Sequence, residues 1–151
     1  MDLELIKETI FDFKWERAPL TSLSLATITS IVYVTVVLLY AYAPGVKSIL
    51  YVKNLKTVIS VHNIILSLGS LIMLLGTVYE VTKRIQSEGS IVWIFCEHPD
   101  TKANGMLWFW SYIYYLSKYY ELLDTLFQFL SGKTPPNFFL HVYHHSLVIF
   151  M

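Results

Sequence analysis

LWFWSYIYYLSKYYELLDTLFQFL, Leu107 to Leu130, is long and apolar enough to cross a bilayer as a helix, yet its middle carries Lys118, Glu121 and Asp124. At 100° per residue these three step through an arc of about 120°, and Thr125 returns beside Lys118. Each such side chain costs roughly 2.5–3.5 kcal/mol at mid-membrane on insertion scales. The stripe therefore has to turn away from lipid, and a helix with one polar edge needs other helices to receive it. That requirement decides the fold class: an all-α, polytopic membrane helical bundle.

Composition agrees. Of 151 residues 55% are hydrophobic, 16% aromatic and 15% charged, where ordinary globular chains carry about 25% charged residues. Pro19 to Val46 holds no charged side chain, nor does Thr57 to Tyr79 if His62 is neutral. Each exceeds the roughly 20 apolar residues that span a hydrocarbon core. Membrane spans are expected over about 19–43, 57–80, 106–131 and 135–151, with residues 1–18 as an extramembrane segment. That segment lacks a basic n-region followed by a short apolar run and a cleavage site, so it is expected to stay in the mature protein. Ala43-Pro44-Gly45 breaks the first helix before a connection bearing Lys47, Lys53 and Lys56. The polar stretch from Glu80 to Gly105, with its apolar island Ile91 to Phe95, reads as an extramembrane loop.

In the second span, Ser60, Ser67, Gly69, Ser70 and Gly76 are placed to let helix backbones approach closely. Gly132 is a stop for the third helix, and Thr134-Pro135 reads as an N-cap followed by proline at the first position of a fourth. Lysine and arginine are too evenly shared between the two sides to set orientation. Balanced charge with no basic stripe excludes electrostatic capture of nucleic acid. The one cysteine, Cys96, builds neither a disulfide framework nor a cysteine metal site.

The fourth segment holds HVYHH. His141, His144 and His145 fall within an arc of about 100° on a helix, and their face is expected to line one cavity with the Lys118, Glu121 and Asp124 stripe. Three neighbouring imidazoles desolvated together are costly unless metal, protons or substrate use them. Membrane desaturases and hydroxylases use boxes of the form HxxHH, but their di-iron sites need many more histidines than the five present, of which His62 and His98 are remote. No metal site is expected. Nucleophilic or acid–base catalysis remains. So does a His/acid proton relay in a membrane transporter or a non-catalytic membrane partner. The residues alone do not choose between them. Lys118 with Glu121 could be a packing ion pair, which would leave Asp124 without a partner, and His62 beside Asn63 could be interhelical glue.

KYYELLDT, Lys118 to Thr125, resembles the KxxExxDT element of the fatty-acid elongase family, and HVYHH resembles that family's HxxHH box. VHN at 61–63, YIYYLSKYYELLDT and FFLHVYHH extend the similarity over nearly the whole chain, as the first half of a family member. The resemblance implies a very-long-chain 3-oxoacyl-CoA synthase that condenses long-chain acyl-CoA with malonyl-CoA to 3-ketoacyl-CoA and carbon dioxide, with no bound cofactor. It implies a multi-pass protein of the endoplasmic reticulum membrane, with a seven-helix fold of which about four helices lie here. Partners would be the lipid bilayer and other enzymes of the elongation cycle. Carried onto this chain, His144 would be the nucleophile with His141 and His145 orienting it or moving protons. Lys118, Glu121, Asp124, Thr125, His62 and Asn63 would support substrate. Cys96 is a poor nucleophile candidate. The family's further element HxxMYxYY does not occur in residues 1–151, so the chain is expected to be truncated at its C-terminus and inactive alone.

Overall fold

The structure, a computed structural model, describes residues 12–43, 45 and 51–150. Pro44, Lys47 and the segment up to Phe11 lie outside the described residues, and with them the proposed helix break and the start of the N-terminal segment. Among the described residues four α-helices follow in order: α1 Leu23–Tyr42, α2 Lys56–Glu88, α3 Met106–Leu130 and α4 Phe138–Leu147. Short 3-10 turns cover Trp15–Arg17, Val92–Ile94 and Val148–Phe150. Among the described residues there is no strand, only an isolated bridge between Lys14 and Asn104. α1 and α2 are long and apolar enough to cross a membrane. Their outward residues, such as Ile31, Val36 and Leu39 on α1 and Ile64, Leu68 and Leu75 on α2, are exposed. Continuous apolar exposure of this kind suits lipid as solvent.

Contacts divide the chain into two units. The first is Met1–Thr21 with Gly69–Tyr114, and the second is Ser22–Leu68 with Tyr115–Met151. In the second, Ser22 caps α1 by accepting from the Leu25 N–H at 3.3 Å. Tyr33, Val37 and Tyr40 share one helical face and bury against Phe129 of α3, with Val34, Leu122, Phe138 and Val142 packed around them. Tyr40 stacks on Phe129 with ring centroids 3.8 Å apart and donates its hydroxyl to the Phe129 carbonyl at 2.8 Å. A phenol in an apolar span needs such a partner. α4 is tied to α1 by Ser30, whose hydroxyl donates to the Ser146 carbonyl at 2.9 Å.

α3 ends as Gly132 predicts. Gly132 sits at φ +71° and donates to the Phe129 carbonyl, while the Lys133 N–H reaches the Gln128 carbonyl at 2.9 Å. This is the paired bonding of a Schellman motif, and the left-handed position is one that glycine takes without a Cβ penalty.

In the first unit, residues 13–15 pair with the loop 103–105: Trp15 N–H donates to Ala103 at 3.0 Å and Gly105 N–H to Phe13 at 2.8 Å. Phe13 is buried against the rings of Phe109 and Tyr112. Arg84 gathers the loop after α2. It donates to Glu88 at 2.6 Å and to both oxygens of Glu97 at 2.7 and 2.9 Å, and lies 4.0 Å from the Trp93 ring centroid. The fork geometry of guanidinium suits this bidentate bond and the ring contact together.

Three expectations need correction. α2 runs past Glu80 to Glu88, because EVTKRIQSE contains no breaker before Gly89, which sits at φ +64°. α4 begins at Phe138, preceded by Asn137 at φ 50°, ψ 51°, not at Pro135. Pro136 follows Pro135, and the residue before a proline is pushed out of the α region, so a helix could not start there. Of the small residues on α2, Gly76 is used, but by the Trp110 indole rather than by a helix backbone. Gly69 has open space around it and Ser60, Ser67 and Ser70 are exposed.

Candidate active site

The site lies in the second unit, where α3 presents Lys118, Glu121, Asp124 and Thr125, and α4 presents its histidines. Lys118 and Glu121 pair with each other at 2.7 Å, both largely buried. This i, i+3 pair on one turn neutralises two of the costly charges locally. Asp124 does have a partner, His62 of α2: Nε2 lies 2.9 Å from Asp124 Oδ1. An ionised carboxylate only accepts, so Nε2 carries the hydrogen and donates. His62 is 3% exposed, with the rings of Tyr120 and Phe127 at 4.6 and 5.0 Å.

Thr125 joins the stripe to the histidine face. Its hydroxyl is 2.8 Å from His141 Nε2 and 3.0 Å from the hydroxyl of Tyr33 on α1, and the residue is 1% exposed. His145 is buried, with its ring centroid 4.3 Å from His141, 5.5 Å from His144 and 6.2 Å from Tyr33. Nδ1 of His145 and Nδ1 of His62 are buried without a hydrogen-bond partner among the described residues. His144 is exposed, its ring meeting that of His145 edge-on.

The expected single lining of acids against histidines is therefore divided. Lys118 and Glu121 bond each other, Asp124 bonds α2, and Thr125 makes the hydrogen bond to α4. Bonding to each other lowers the desolvation cost of the Asp124 carboxylate and of the His62 imidazole, which is 3% exposed. Asn63, the neighbour of His62, is exposed. Among the described residues, no three His, Cys, Asp or Glu side chains are gathered as a metal site. Cys96 is exposed in the loop of the other unit.

Tyr33 is the site residue that sequence reasoning missed. Its signal was present: Tyr33 and Tyr40 lie two turns apart on one face of a charge-free span, and each hydroxyl there requires a partner. Tyr33 and Thr125 also floor an open apolar groove of about 200 Å³, walled by Val36, Val37, Leu126 and Phe129.

No solved structure matches the chain. Among known proteins it is 36% identical over 141 residues to fatty acid elongase sre1 of Dictyostelium discoideum, covering 91% of this chain and 50% of that protein. It is 34% identical over 150 residues to fatty acid elongase A of the same organism, covering 95% and 50% respectively. Fatty acid elongase 2 of Trypanosoma cruzi matches at 36% over 95 residues, covering 63% of this chain and 33% of that protein. The chain spans about half the length of the curated relatives that it matches over most of its own. The ELO family model, described as GNS1/SUR4, matches residues 18–151, a range that holds α1 to α4, the KYYELLDT stripe and the HVYHH face. The chain belongs to the GNS1/SUR4 (ELO) family.

Proposed function

We propose that this chain carries part of the condensing site of fatty-acid elongation, in which an acyl group is joined to malonyl-CoA. The observation that carries the reading is the 2.8 Å bond between Thr125 of KYYELLDT and His141 of HVYHH, which brings the two motifs to one place. In the proposed reaction an imidazole nitrogen of His144 attacks the acyl-CoA thioester carbonyl and the CoA thiolate leaves with a proton. Malonyl-CoA then loses carbon dioxide, and the resulting carbanion attacks the acyl-imidazole carbon, releasing 3-ketoacyl-CoA and an imidazolate that takes up a proton through the neighbouring histidines to restore neutral His144. His144 suits the role because its ring is exposed, whereas His145 is buried and Nε2 of His141 is bonded to Thr125.

His141 and His145 flank it as orienting and proton-moving groups, and Lys118, Glu121, Asp124 and Thr125 position the thioester end of the substrate. The substrates are acyl-CoA and malonyl-CoA, the setting the endoplasmic reticulum membrane, and the partners other enzymes of the elongation cycle. The element HxxMYxYY is absent from residues 1–151, and turnover is expected only where such an element is supplied.

Membranes carrying the chain, alone and joined to a C-terminal half that contains HxxMYxYY, are incubated with acyl-CoA and labelled malonyl-CoA. Formation of labelled 3-ketoacyl-CoA by the joined form, abolished by His144→Ala, is the expected result. Absence of product from the joined form refutes the reading in favour of a proton-relay transporter.

A further inference from the structure

Tyr33, Thr125 and His141 form a line of two hydrogen bonds that share one oxygen, Thr125 Oγ1, at 3.0 Å from the Tyr33 hydroxyl and 2.8 Å from His141 Nε2. A hydroxyl carries a single hydrogen and donates once. It can accept twice, but if Tyr33 and His141 both donated to it the Thr125 hydrogen would have no acceptor among the described residues, in a residue that is 1% exposed, so one bond runs in and the other runs out. Run outward, His141 donates from Nε2 to Thr125 and Thr125 donates to Tyr33. The phenol hydrogen then has no acceptor among the described residues, in a side chain that is itself buried. Run inward, Tyr33 donates to Thr125 and Thr125 donates to the lone pair on His141 Nε2, so both hydroxyl hydrogens are used and the ring hydrogen sits on Nδ1 of His141, a residue only half-buried where Tyr33 is buried. Buried donors are expensive to leave unpaired, so the inward direction holds.

The conformation of Thr125 points the same way. Thr27, Thr35 and Thr82 each donate to the backbone carbonyl four residues earlier, the usual outlet for a helical threonine hydroxyl. Thr125 instead turns its hydroxyl to Tyr33 and His141.

We propose that Tyr33 is a positioning residue that acts through Thr125 to hold His141 as the neutral tautomer with its hydrogen on Nδ1 and its Nε2 lone pair occupied. This ties α1, which carries none of the family motif residues, to the histidine face. A consequence for catalysis rests on the acyl-transfer reading: His141 Nε2 is withheld from the acyl group and His144 is left to receive it. The tautomer itself does not depend on that reading.

The test is solid-state nitrogen NMR of the histidine-labelled full chain in lipid bilayers at neutral pH, the His141 signal being identified by its loss in His141→Gln. The wild type is expected to show His141 in the Nδ1–H form alone. Tyr33→Phe keeps the ring but removes the donor, so the Nε2–H form should rise from undetected to a comparable share. Thr125→Ser should preserve the single form and Thr125→Val should lose it. If Tyr33→Phe fails to fold, the wild-type spectrum and the Thr125 pair still decide. An Nε2–H or doubly protonated His141 in the wild type overturns the proposal, as does a Tyr33→Phe spectrum identical to wild type. A joined enzyme that makes no 3-ketoacyl-CoA leaves this result standing, whereas turnover with His141 in the Nε2–H form sinks this proposal alone.

Discussion

The His62–Asp124 bond allows a quantitative test of what holds α2 to α3. Nitrogen and oxygen are 2.9 Å apart, His62 is 3% exposed and Asp124 has 31% of its side chain exposed. A hydrogen bond to a charged group contributes about 1.5–3 kcal/mol in water-soluble proteins. In membranes, interhelical pairs measured by double-mutant cycles average about 0.6 and reach about 1.7 kcal/mol, because the separated helices also find partners. The short distance, the aromatic walls of Tyr120 and Phe127 and the ionised acceptor place this pair near the upper end, at about 1.5 kcal/mol of coupling. The cycle uses His62→Leu, Asp124→Leu and the double variant, with reversible unfolding followed in lipid–detergent bicelles. Each single change strands one polar group, and the double change removes both, so the double variant should be more stable than additivity forecasts. Additive losses, to within about 0.3 kcal/mol, would refute the claim that this bond joins the helices.

Two other outcomes follow from the same structure. Any Cβ at Gly76 would overlap the Trp110 indole, so Gly76→Ala should cost about 1–3 kcal/mol by overpacking. Trp110→Leu in the same chain should recover part of that loss, and an unchanged unfolding midpoint for Gly76→Ala would contradict the packing. The second concerns pH. Hydrogen bonds from Arg84, and secondarily from Thr101 and the His98 N–H, hold the Glu97 carboxyl below its ordinary value of 4.5. A group lowered on folding stabilises fully above its unfolded value and loses that contribution as pH falls through its folded one. The Arg84 clamp on the loop should therefore hold at neutral pH and loosen below 4.5. A nitroxide on Cys96, exposed beside Glu97, should gain mobility on acidification. Glu97→Gln should be mobile throughout, and a label indifferent to pH would refute the clamp.

The amino-acid sequence by itself determined the solvent, the helices and the two polar faces. Long charge-free runs in α1 and α2 specify lipid through composition alone. The arcs of Lys118, Glu121 and Asp124 and of His141, His144 and His145 follow from residue spacing within one helix, which local geometry dictates. The end of α3 at Gly132 was legible for the same reason. The start of α4 was not: the reading from Thr134-Pro135 placed it at Pro135, and the helix begins at Phe138 after Asn137 in a left-handed conformation.

Tertiary structure alone decided which polar group meets which. Asp124 could have faced the histidines of α4 or the histidine of α2, and it takes His62. Thr125 takes His141 and, from a helix far back in the chain, Tyr33. Spacing places side chains on a face of their own helix but does not state how that helix is rotated or how far it slides against another. In lipid, those two quantities are set by side-chain packing and by the need to pair every buried donor, which depends on all the helices at once.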